Sequence, residues 1–241
     1  GRQAMEKRTA ASLDEAENLL TRATELDPGF AIAYVDLANT YGFQAFYSNR
    51  PPKQAWQLAE PLIERALTID ERLGQAYIAK ARFLEVTPSQ VPFIEEAAAI
   101  ENLYRKGLDL APNYASGYRW YSFLLTRLER HAEAIVQLEK ALRLDPLSGV
   151  TKVNLASSLE QQGRFVEARD YLESSIRISP DFATGYAYLA RLEIYAFGRV
   201  DQAILQISRA AALDPGNAQV AAELAGYWEL VGDTQAADKW V

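Results

Sequence analysis

The chain has 241 residues, 49% of them hydrophobic and 24% charged, with 25 Lys and Arg against 32 Asp and Glu for a net charge of −7. That is enough apolar material for a sizeable folded body and too much for a disordered chain, while the acidic excess argues against a binder of duplex nucleic acid, which needs a clustered basic surface. Cysteine is absent and His131 is the one histidine, which excludes a disulfide framework, thiolate metal sites and most imidazole chemistry.

In chain order, the opening "GRQAMEKRT", with the lone Met5, reads as the edge of a piece of a longer protein. Ser12-Leu13-Asp14-Glu15 then has the form of a capping box opening a helix with little before it. That helix stops at Asp27-Pro28, and the next runs through "AIAYVDLANTY" into "GFQAFYSNRPPKQAW". Here Pro51-Pro52 forbids continuous helix, and Pro61 is expected to start or kink the next helical run. A second insertion, "EVTPSQVPF", interrupts the chain after the following helix. Further on, "EAIVQLEKALRLDPLSGV" places Ile135, Leu138, Ala141 and Leu142 at helical spacing before Asp145-Pro146. Proline cannot supply the next backbone donor but is tolerated in a first helical turn, so this dipeptide is expected both to stop one helix and to cap the next. No apolar run approaches the roughly 18–20 residues of a membrane span, no signal-peptide pattern is present, and no membrane contact is expected.

The stop recurs in "ELDPGFAIAY", "TIDERLGQAY", "DLAPNYASGY", "RLDPLSGVTK", "RISPDFATGY" and "ALDPGNAQVA". Its proline position falls at Pro28, Glu71, Pro112, Pro146, Pro180 and Pro215, in steps of 43, 41, 34, 34 and 35 residues. A fixed period near 34 is the sign of an array of helix–turn–helix units, and the two long steps locate the two insertions. Before each stop small residues recur at Ala16, Ala59, Ala134, Ala168, Ala203 and Ala237, and again at Ala23, Ala66, Gly107, Ala141, Ser175 and Ala210. After it come Tyr34, Tyr77, Tyr118 and Tyr186, then Leu37, Tyr121, Leu155, Leu189 and Leu224, each followed by a small residue such as Ala38 or Ser122. Large and small alternate as interlocking helices require.

At these residues the sequence resembles the tetratricopeptide repeat family, from about Ser12 to Val241. The resemblance implies an all-α fold, a right-handed superhelical solenoid of antiparallel helix pairs in about six to seven units, here forming a single domain over residues 1–241. Ile100 departs from the pattern where a small residue is expected, Glu129 stands where Gly163, Gly198 and Gly232 stand in other copies, and Glu71 replaces proline.

In such arrays the first helix of each unit lines a concave groove. The groove-facing positions are Asp36 and Asn39; Arg82 and Glu85; Arg119, Trp120, Phe123 and Arg127; Asn154, Ser157 and Gln161; Tyr188 and Arg191; and Glu223 and Glu229. The middle is basic and aromatic and the ends are acidic, which suits an extended acidic peptide held by arginine forks with rings packed between them. The candidate peptide-binding set is therefore Asn39, Arg82, Arg119, Trp120, Phe123, Arg127, Asn154, Gln161, Tyr188 and Arg191. Tyr118, Tyr121 and His131 fall on packing faces instead. The competing reading is an architectural spacer or self-association module, its groove empty or filled by residues 43–52, with dimerisation through the C-terminal end that breaks off within "TQAADKWV".

The lysine–asparagine pair of the family's best-known peptide grooves is missing, since Asn39 is preceded one turn earlier by Val35; chaperone-tail binding is disfavoured. Catalysis, metals and cofactors are not expected: Glu95-Glu96 and Asp14-Glu15 sit on solvated helix ends, and there is neither a phosphate-cradling loop nor a nucleophile elbow. The first forty or so residues also resemble the repeat arrays attached to bacterial winged-helix regulators and class III nucleotide cyclases, which implies the sensory or regulatory part of a larger bacterial protein.

Overall fold

The structure, a computed structural model, describes residues 1–7, 9–48, 50–87 and 92–240, with the side chains of 6 and 7 left aside. Among these the chain forms fourteen helices and no strand. It divides into two compact units, Gly1–Leu124 and Leu125–Val241.

The first unit holds α1 (Arg2–Lys7), α2 (Ala10–Leu26), α3 (Ala31–Tyr47), α4 (Pro52–Ile69), α5 (Gly74–Val86), α6 (Phe93–Leu110) and most of α7 (Ala115–Arg127). Neighbours pack in sequence, α2 on α3, α3 on α4, α4 on α5 and α5 on α6; α3 also meets α5, so the first helices of successive pairs line one wall. The core follows the pattern of large and small residues: Ala59, Ala66 and Ala81 are fully buried beside Val35, Leu37, Ile63 and Phe83. Ile100, although larger than the pattern asks, is also buried.

The second unit continues with α8 (His131–Leu144), α9 (Gly149–Glu160), α10 (Phe165–Ile178), α11 (Ala183–Phe197), α12 (Val200–Leu213), α13 (Ala218–Leu230) and α14 (Thr234–Ala237). Ala134, Ala141, Ala168, Ser175, Ala203 and Ala210 have no exposed surface. Against them pack Leu138, Leu155, Leu159, Leu172, Leu189 and Leu192. Small residues remove the side-chain layer where two helices cross, so their axes approach and the leucines interlock on either side.

Three local expectations are corrected. Asp145-Pro146 stops α8 but does not cap α9: Asp145 is the C-cap, its N–H bonded to the Ala141 carbonyl, while Ser148 caps α9 by accepting from the Thr151 N–H. The recurrent aspartate instead builds the turn, Asp27 Oδ1 accepting from the Gly29 N–H at 3.0 Å and Asp70 Oδ1 from the Arg72 N–H at 2.9 Å. The capping box at the start of α2 lies three residues earlier than Ser12-Glu15, with Thr9 as N-cap and Ser12 reaching back to it, because Ser12 finds its partner in a hydroxyl rather than in Glu15. Of the start or kink expected at Pro61, the start is not found, since α4 runs through it. Pro61 is exposed there, so the carbonyl whose donor is missing opens onto solvent, while buried Ala59 and Ile63 hold the other face.

The two insertions differ. Residues 43–47 prolong α3, and Arg50 folds back onto α2: its guanidinium meets Glu17 at 3.1 Å, donates to Gln44 at 2.8 Å and covers the Tyr41 ring. In "EVTPSQVPF", residues 88–91 lie outside the described residues.

A tyrosine device repeats along the array. Tyr34, Tyr77 and Tyr186 each donate the phenol hydroxyl to a carbonyl six residues earlier, that of Pro28, Glu71 and Pro180, at 3.5, 3.0 and 3.3 Å. Because the acceptor is a backbone oxygen, Glu71 serves as well as proline, which explains why that departure leaves the turn intact.

Glu129 occupies the left-handed region at φ 60°, as Gly163, Gly198 and Gly232 do at 70°, 66° and 80°. Its helix end closes as theirs do, with the Arg130 N–H bonded to the Leu125 carbonyl and the Arg164 N–H to that of Leu159. A Cβ in this conformation costs about 1 kcal/mol. Glu129→Gly is therefore expected to stabilise the second unit by about that amount, seen as a later urea midpoint at unchanged helicity. An earlier midpoint would mean that the glutamate side chain contributes more than its backbone costs.

Candidate functional site

In the first unit three helices converge on an arginine–aromatic cluster. α5 supplies Arg82, α7 supplies Arg119 and Trp120, and the prolonged end of α3 supplies Phe43. The Arg82 guanidinium carbon lies 4.6 Å from the Phe43 ring centroid and 4.8 Å from that of Trp120, and Arg119 lies 5.7 Å from the same indole. Both arginines are 8% exposed and Trp120 is 4% exposed. Ring faces carry negative charge density that offsets part of the hydration a buried guanidinium loses. Tyr114 meets Trp120 edge-on at 5.9 Å and fixes the indole plane.

A cavity of about 220 Å³ opens beside this cluster, lined by Asp36, Phe43, Tyr114, Arg119 and Trp120, with Arg2 and Met5 of α1 on its rim. Arg2 donates Nε and Nη2 to Asp36 Oδ2 at 3.0 and 2.7 Å. Burial raises the Asp36 carboxyl above its ordinary range, and the Arg2 cation only partly opposes this. The Tyr114 hydroxyl is pushed up to about 12, by burial first and then by the Asp36 carboxylate. Behind the cluster, Tyr104 donates to Glu85 at 2.8 Å and stacks on Tyr121 at 5.5 Å. Tyr121 donates in turn to Glu101, which also holds Arg105. Tyr121 is thus a packing residue, as its helical face implied.

The second unit carries a smaller feature. On α11 the Arg191 guanidinium lies 4.3 Å from the Tyr188 ring and 3.6 Å from Glu160, and Tyr188, Arg191 and Glu223 of α13 border a pocket of about 160 Å³.

The candidate residues thus fall into distinct settings. Arg82, Arg119 and Trp120 come together in the first unit, and Tyr188 with Arg191 in the second. Asn39 is 1% exposed and lies outside both pockets, inside the packing of α3. Phe123 is 42% exposed on α7, and Arg127 is exposed at its end. Asn154 is half-buried on α9, its Nδ2 without an acceptor, and Gln161 is exposed at the C-cap of that helix. Glu229 is exposed near the end of α13, and His131 is half-buried at the first position of α8. Sequence reasoning missed Phe43, Tyr114 and the contribution of α1. A signal for Tyr114 was present: Phe30, Tyr114 and Phe182 all stand two residues after the recurrent proline. Among the described residues, no group of three or more His, Asp or Glu is placed to hold a metal, and no helix is long and apolar enough to cross a membrane.

A profile of the tetratricopeptide repeat matches residues 125–192 and 159–227. A crystal structure of PilW, described as a widely conserved type IV pilus biogenesis factor, superposes with a TM-score of 0.68 at 23% identity, over 87% of this chain and 90% of that one. PilF of Pseudomonas aeruginosa superposes with a TM-score of 0.66 at 21% identity, over 95% and 90%. Residues 125–227 are tetratricopeptide repeats. YrrB, described as a TPR protein with an unusual peptide-binding site, shares the fold with a TM-score of 0.51 at 18% identity, over 83% of this chain and 95% of that one. No curated protein matches the sequence. A tetratricopeptide repeat array is a protein–protein interaction scaffold.

Proposed function

We propose that this scaffold recruits a partner through an extended acidic peptide segment bound at the arginine–aromatic cluster of the first unit. The observation that carries the reading is the pair of buried guanidiniums, Arg82 and Arg119, sharing the indole of Trp120 beside a cavity of about 220 Å³. Their positions are set by rings and helices before any ligand arrives, so a carboxylate gains charge-assisted hydrogen bonds at little ordering cost. Trp120, nearly covered, acts here as the platform under the arginines, and Tyr114 and Phe43 hold that platform in place. Likeness to a peptide-binding repeat protein such as YrrB supports the reading at the level of fold. The spacer reading draws on a different observation, the Arg191–Glu160 pair, in which a groove arginine answers a local acid in the second unit.

The test is binding of fluorescent acidic peptides to the whole chain. Arg119→Glu is expected to weaken binding tenfold or more while helicity stays unchanged, since a partly desolvated charge contact contributes about 1–3 kcal/mol. Binding should also fall as salt rises, and less steeply in the variant. Equal affinity of wild type and Arg119→Glu for every peptide that binds would remove the groove reading and leave the spacer.

A further inference from the structure

Resting on that reading, we propose that the neighbouring apolar cavity of the first unit is a side-chain pocket of the same site, and that the partner segment places a large aliphatic or aromatic residue in it next to the acid. The cavity is about 200 Å³ and is walled by Gly42, Ala45 and Phe46 of α3, Ala55 of α4, and Arg82 and Phe83 of α5. It owes its existence to the first insertion. α3 runs to 17 residues where α5 and α7 run to 13, and this extra length brings Ala45 and Phe46 opposite the end of α5.

Gly42 keeps the cavity open. A Cβ there would stand 3.1 Å from Phe83 Cζ and 3.2 Å from Arg82 Nη1, closer than neighbouring side chains ordinarily pack. At the rim Phe46 is 63% exposed and Val86 is 44% exposed, so apolar surface faces solvent around an apolar hollow. Such an arrangement gains from being covered.

Charge selects the occupant. Arg82 walls this cavity and also stacks on Phe43 and Trp120, which line the arginine pocket, so the two hollows share one cationic partition. A lysine or arginine entering the apolar cavity would meet that cation, whereas an uncharged side chain flanked by aspartate or glutamate satisfies both hollows at once. The preferred segment is therefore acidic with a central leucine, methionine or phenylalanine.

The experiment compares an acidic peptide carrying one central leucine with its leucine-to-alanine analogue, by fluorescence anisotropy on the whole chain. The leucine peptide should bind about tenfold tighter, from the apolar surface it covers. Ala45→Phe, which fills the cavity, should bring the leucine peptide to the level of the alanine peptide. Equal binding of both peptides to wild type, still weakened by Arg119→Glu, would overturn the pocket and leave the arginine site standing. This comparison needs no cavity variant and so survives a folding defect in Ala45→Phe. Binding of neither peptide would overturn the arginine site and the pocket with it. Dimerisation that Ala45→Phe abolishes, without any preference for leucine, would assign the cavity to a second copy of the chain and overturn its role in peptide selection.

Discussion

Gly107→Leu is expected to destabilise the first unit by at least about 3 kcal/mol, at the upper end of what overpacking costs. Gly107 lies on α6 where it crosses the start of α5, and a Cβ there would stand 2.5 Å from Ile78 Cγ1 and 2.8 Å from the Gly74 carbonyl oxygen. Gly74 faces the same crossing from the other side, its own Cβ position overlapping the Gly107 carbonyl. Two backbones meet here without side chains between them, and a backbone cannot rotate away as a side chain tip can. Even Gly107→Ala should lower stability, although alanine is favoured over glycine within a helix by about 1 kcal/mol. Gly163→Ala provides the contrast: nothing lies within 4 Å of its Cβ position, and only its φ of 70° opposes the change. Its cost should stay near 1 kcal/mol. Urea unfolding of the three variants measures the order; a Gly107→Leu chain as stable as Gly163→Ala would show that α5 and α6 can separate freely.

The second large effect is alkaline. Burial, reinforced by Glu85, holds the Tyr104 hydroxyl well above its ordinary value, and burial pushes Tyr114 and Tyr227 up to about 12 each. In the unfolded chain these phenols ionise near 10. Between about 10 and 12 the unfolded state therefore releases protons that the folded state keeps, and unfolding is favoured. The contribution of these tyrosines is constant below pH 10 and falls above it by about 1.4 kcal/mol per pH unit for each of them. Unfolding free energies measured across that window should show the fall, and Tyr114→Phe should make it shallower while tyrosinate absorbance loses a late-titrating group. A slope that Tyr114→Phe leaves untouched would mean that its phenol is already hydrated in the folded chain.

The repeat was legible without coordinates because its marks are local. A proline position every 34 residues or so, a tyrosine six residues on, and alanines at helical spacing each report a constraint that one or two turns of backbone impose. Those marks predicted the helices and the buried small residues where they cross. They erred where two local solutions compete: Ser148 rather than Asp145-Pro146 caps α9, and Thr9 rather than Ser12 caps α2, because several hydroxyls and carboxylates lie within reach of the same amides.

The sequence by itself determined the all-α repeat class, the helix borders to within a few residues, and the small-residue seams on which the helices cross, since periodicity and turn chemistry depend on neighbours along the chain. Only the tertiary structure decided which candidate residues form a site. Asn39 and Arg82 hold equivalent positions in their repeats, yet one is packed away inside α3 and the other lies between two rings. The rings come from Phe43, in the prolonged end of α3, and Trp120, far along the chain. Likewise the apolar cavity arises from the length of one helix set against the end of another, with Gly42 left bare between them. Such coincidences belong to packing across helices, where burial and charge compensation are settled by residues remote in sequence, and no period within one helix carries that information.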